Sequence, residues 1–97
     1  MDRLSEDVRK LMSIMEYSMT TDDIFFHVMN RIARKIPKIQ RLRQDEEVPG
    51  QFNKEVAEML VLVSMLRDIG GVNDITLSDK VMELIKEANE TYGRFRR

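Results

Sequence analysis

The sequence predicts an all-α fold, a small irregular bundle of three to four helices. Three features lead to it. Apolar residues recur at three- and four-residue intervals through most of the chain. Capping residues and Pro-Gly or Gly-Gly pairs separate these periodic stretches. Strand-like alternation of apolar and polar residues is hard to place anywhere.

The first helix is expected over residues 5–19, where Leu4, Val8, Leu11, Met12, Met15 and Met19 form one stripe. Ser5 is its candidate N-cap, with Glu6 and Asp7 favourably placed against the positive end of the helix dipole. The second is expected over residues 21–44. Thr21 is its candidate cap, and Ile24, Phe25, Val28, Met29, Ile32 and Ile36 lie on one side. Pro37 lacks an N–H and disfavours a helical residue before it, so a kink is expected there. Ile39 and Leu42 keep the spacing and favour continuation to Gln44.

Residues 45–50 end in Pro49-Gly50 and have no helical period, which marks the main turn. The third helix, over 51–69, carries apolar residues almost all round: Phe52, Val56, Met59 to Val63, Met65, Leu66 and Ile69. Such a helix belongs at the centre of a bundle. Gly70-Gly71 provides its left-handed cap. A fourth helix is expected over 76–92, with Thr76 and Asp79 as a capping box. Its expected core face is Val81, Leu84, Ile85, Ala88 and Tyr92, with Phe95 beyond.

With 97 residues, 42% hydrophobic and 34% charged, the chain suits one folded domain over residues 1–97 rather than a disordered or membrane-embedded protein. The absence of cysteine excludes disulfides and thiolate metal sites. The acidic first residues do not read as a secretory signal, and the longest apolar run, 59–63, is far short of a membrane span. A cytoplasmic location, without membrane association, is the expectation.

Charge is segregated. Residues 24–44 carry six basic residues and no acid, whereas residues 1–23 and 45–97 are both net acidic. On a helical projection Arg31, Arg34, Lys35, Lys38 and Arg41 share a face opposite the Ile/Met/Phe stripe, as a phosphate-tracking surface requires. The competing expectation is that this face is solvated or is answered by the acidic stripe Asp79, Glu83, Glu87 and Glu90, within the chain or in a symmetric dimer.

Glu55 and Glu58, three residues apart, place two carboxylates on one side of the third helix, and Glu87 and Glu90 repeat the spacing on the fourth. In an antiparallel hairpin the two pairs fall at about one height. This arrangement is distantly similar to the paired carboxylates of all-helical nucleoside triphosphate pyrophosphohydrolases, although the second pair ends in Glu where that family has Asp. The resemblance implies a metal-dependent hydrolase; a solvated carboxylate face is the favoured expectation, with no metal or cofactor assigned. One histidine, His27, leaves no His-paired nucleophile within the chain, and Gly70-Gly71 lacks phosphate-loop spacing, so no catalytic residue is assigned.

Internal methionines prompt a third class of function. Met12, Met15 and Met19 share the stripe of the first helix, where core packing competes with exposure as an adaptable docking or dimer surface. The expected function is thus a small helical protein-protein interaction or regulatory module with a protein partner or a second copy. Nucleic-acid association through the basic helix is the alternative, and the hydrolase a remote third.

Overall fold

In a computed structural model, which describes residues 3–93, the described residues form four α-helices: α1 Arg3–Met15, α2 Thr21–Gln44, α3 Gln51–Gly70 and α4 Asp74–Tyr92. α1 ends earlier than its apolar spacing suggests. The chain turns at residues 16–18, with Ser18 N–H donating to the Met15 carbonyl at 3.1 Å. Met19 therefore lies in the connection rather than on the helix. Ser5 is inside α1, whose first residue is Arg3, and not at its N-cap.

α2 is capped by Thr20, one residue before the expected Thr21. The Thr20 hydroxyl accepts from Asp23 N–H, and the Asp23 carboxylate accepts from Thr20 N–H, both at 3.1 Å. This reciprocal pair satisfies two donors at the helix start and places acid at its positive end. Thr20→Ala is expected to lower the unfolding free energy by about 1 kcal/mol, read from the shift in a urea unfolding midpoint. α2 runs unbroken through Pro37. Ala33 and Pro37 are both exposed, so the carbonyl left without its usual donor is not forced into the interior.

The turn into α3 is built by Glu46, whose carboxylate accepts from Gly50 N–H at 2.9 Å and Phe52 N–H at 3.1 Å. An acid from outside the helix thereby caps a terminus whose own N-cap residue, Gly50, has no side chain and sits at φ +85°. At the other end Gly71 adopts φ +62°. Its N–H donates to the Asp68 carbonyl while Val72 N–H reaches the Arg67 carbonyl, the paired closure of a left-handed cap. α4 starts two residues before the expected position. Asn73, not Thr76, caps it, the Asn73 side-chain oxygen accepting from Thr76 N–H at 2.9 Å.

The core comes from three helices. Val8 and Met12 of α1, Ile24 and Val28 of α2, and Leu62 and Met65 of α3 are buried together, with Met15, Met19, Ile32, Val61, Leu66 and Ile69 packed around them. α3 touches both α1 and α2, as its near-continuous apolar surface predicts. α4 behaves differently: it makes no extended packing with any other helix and contributes no buried residue. The radius of gyration is 16.8 Å, against about 12.5 Å for a compact chain of this length. A helix standing off the bundle accounts for that excess. The expectation that Val81, Leu84, Ile85, Ala88 and Tyr92 join the core is therefore corrected; Phe95 lies outside the described residues. α4 follows α3 after a short link, and Leu60 and Val63 of α3 remain exposed together with the α4 stripe.

Candidate docking surface

Two features of this architecture bear on function: a charged cluster between α2 and α3, and the uncovered face of α4. The cluster follows from register. Val28, Lys35 and Leu42 recur every seven residues on α2, and all three are buried. Lys35 thus lies on the line of α2 that contains core residues, not opposite it as the helical projection suggested. Its ammonium donates to Glu55 Oε2 at 2.6 Å and also contacts Glu58. Arg31 donates to Glu58 at 2.7 Å, and Lys38 lies 3.0 Å from Glu55.

Three cations one turn apart on α2 therefore alternate with two carboxylates one turn apart on α3. The Lys35 ammonium holds both the Glu55 and the Glu58 carboxyl below the ordinary carboxylate range; Lys38 adds to this at Glu55 and Arg31 at Glu58, while burial opposes it. Glu55, and after it Glu58, raises Lys35 above the usual lysine value. Groups of lowered pKa contribute stability above their ordinary value of 4.5 and lose it as pH falls through the folded value. A group of raised pKa contributes below 10.5 and loses its contribution as pH rises through the folded value. Unfolding midpoints in urea are thus expected to be level between about pH 5 and about pH 10 and to fall outside that window. In Lys35→Met the acid limb should become shallower, because its principal cause is gone.

The cluster answers the question of what meets the basic face. Glu55 and Glu58 do so. Asp79, Glu83, Glu87 and Glu90 remain exposed on α4, and none is paired with the basic residues of α2. Of the five basic residues, Lys35 is buried, Arg31 and Lys38 are half-buried, and Arg34 and Arg41 are exposed. Arg31, Arg34, Lys35 and Lys38 line one open polar depression. Glu55 and Glu58 are not joined by Glu87 and Glu90, because α4 does not lie along α3. Among the described residues no three or more His, Cys, Asp or Glu side chains gather as a metal group would require.

For the three methionines, core packing prevails over exposure. Met12 is 2% exposed, and Met15 and Met19 are half-buried against the same core, so they are largely unavailable to a partner. Their stripe faces α3, which supplies the apolar surface it needs. Exposed apolar side chains lie on α1 (Leu4, Leu11, Ile14), α2 (Phe26, Met29, Ile36) and α3 (Leu60, Val63). α4 carries an accessible apolar stripe. Leu77, Val81, Leu84, Ile85 and Tyr92 are 39–68% exposed, and with Ala88 they fall within an arc of about 100° on the helix. Asp79, Lys80, Glu83, Lys86, Glu87 and Glu90 occupy the other side, together with exposed Ile75 and Met82.

The base of α4 is anchored. Arg67 Nε donates to the Val72 carbonyl at 3.2 Å, and its guanidinium pairs with Asp74. No protein-family model, curated protein or solved structure gives a significant match to the chain, so function has to be read from this geometry. Among the described residues no helix is long and apolar enough to cross a membrane. The sequence reading placed the α4 stripe correctly but treated it as core. The available signal for docking was a fourth apolar stripe on a chain whose first three helices already share a core.

Proposed function

We propose that this chain is a small helical protein-protein interaction module that docks through the apolar face of α4, with α1 to α3 as its folded support. The observation that carries this reading is the alignment of five exposed large apolar side chains along one side of α4, opposite six charged residues. A solvated helix gains nothing from such a stripe, and monomeric proteins seldom leave contiguous apolar surface of more than a few hundred Å² uncovered. A groove-binding polypeptide reads such a helix through anchors at i, i+4 and i+7, here Leu77, Val81 and Leu84.

Leu84→Asp tests the reading. In samples diluted until the mass is that of one chain, the melting transition of α1 to α3 is expected to stay where it is. A fall of the size seen for core leucines, about 2–5 kcal/mol, would show that α4 packs on its own bundle and would overturn the reading.

Phosphate binding is the second reading, favoured by the depression lined by Arg31, Arg34, Lys35 and Lys38. Three of those cations already contact Glu55 or Glu58, which leaves Arg34 and Arg41 as the principal uncommitted charges on this face. Arg34→Glu would abolish any salt-dependent shift of a nucleic-acid duplex or single strand. If the parent chain produces no such shift, the phosphate reading is dismissed.

A further inference from the structure

Resting on the docking reading, we infer that the occupant of the α4 face is α4 of a second copy of this chain, paired antiparallel about a twofold axis. Leu77, Val81, Leu84 and Ala88 are spaced four, three and four residues apart, the seam of a two-stranded coiled coil. Reversing the helix about the point between Met82 and Glu83 sets Leu77 against the partner's Ala88 and Val81 against the partner's Leu84. Each large residue at the ends then meets a small one, and the two middle layers are of equal composition.

Charge selects the direction. Lys80 and Glu87 lie on the same border of the apolar stripe, one heptad apart. The reversed pairing brings Lys80 of each copy toward the partner's Glu87, so the twofold axis creates two opposite-charge contacts. A parallel pair would direct Lys80 and Glu87 toward the partner's Ile85 and Tyr92, with no such match. Within one chain Lys80 already reaches Glu83 at 3.2 Å, but both side chains are about 60% exposed and free to turn outward. Ile85 and Tyr92 widen the seam on the other border.

The available area suits a reversible dimer. Each of the five large side chains still offers roughly 60–100 Å² of apolar surface, so two copies bury about 600–1,000 Å² of apolar area. Since apolar atoms make up about 60% of such contacts, the whole interface comes to about 1,000–1,700 Å², enough for specific association in the micromolar range.

Sedimentation equilibrium from high nanomolar to high micromolar concentration, with hydrogen exchange of the α4 amides in the same samples, tests the inference. The expected result is a monomer-dimer equilibrium that Leu84→Asp abolishes. Lys80→Glu, which sets acid against acid twice, should weaken it about tenfold, and adding Glu87→Lys to that variant should restore it. A dimer indifferent to Leu84→Asp, or one that the double charge swap fails to restore, overturns the antiparallel α4 pairing. A one-chain mass throughout with rapidly exchanging α4 amides overturns the second copy as occupant but leaves docking by another polypeptide standing. A one-chain mass with α4 amides protected like those of α3 overturns both.

Discussion

Lys35→Ala is expected to lower the unfolding free energy by about 2 kcal/mol, which for a domain of this size lowers the melting temperature by roughly 8–16 °C. Removing the ammonium leaves Glu55, only 16% exposed at its side chain, with Lys38 as its remaining cation, and Glu58 with Arg31. Breaking a fully buried ion pair costs about 3–5 kcal/mol; solvent reaches Glu58, which is 42% exposed, and this reduces the figure. Replacing the cluster as a unit, with Lys35→Met, Glu55→Gln and Glu58→Gln together, should cost clearly less than Lys35→Ala, because no buried charge is left unanswered. Differential scanning calorimetry of the two variants decides it. Lys35→Met alone keeps the stem and removes only the charge, so a single Lys35→Met that costs no more than the triple variant would mean that the cluster acts through the packing of the lysine stem rather than through charge.

The second large effect separates core from docking surface with one residue type. Ile24 is fully buried between the three packed helices, whereas Ile85 is 47% exposed on α4. Ile24→Ala is expected to cost about 3 kcal/mol, from lost apolar burial together with the cavity left behind. Ile85→Ala, measured at a concentration where the chain is monomeric, should cost less than about 0.5 kcal/mol. Urea midpoints report both. Comparable losses at the two sites would mean that α4 closes over the bundle and would remove the basis for a docking face.

These contrasts mark how far the residues could be read in order. The hairpin of α2 and α3 about the turn at residues 45–50 held the clue to the charged cluster. Counting equal distances from that turn brings Lys35 and Lys38 within about a turn of Glu58 and Glu55. The projection that set the basic residues opposite the apolar stripe used an average face for a 24-residue helix. Over that length the line of contact drifts, because 3.6 residues per turn do not repeat in seven. Val28, Lys35 and Leu42 follow the seven-residue line, and so a lysine became the residue between two buried apolar ones.

Helical class, the central role of α3, the two turns at Pro49-Gly50 and Gly70-Gly71, and the amphipathic character of α4 were all legible in the order of residues. Those properties arise from residues within one or two turns of each other, where propensity, capping and apolar spacing act. Which faces meet was set by the packing of the helices. It buried Met12 rather than offering it to a partner, matched Lys35 to Glu55 and Glu58 rather than to the acidic side of α4, and left the α4 stripe uncovered. An apolar stripe specifies that something must cover it, and local chemistry is the same whether the cover comes from the same chain or another. The choice depends on distances and angles between helices, and here three stripes close around one core while the fourth lies outside it.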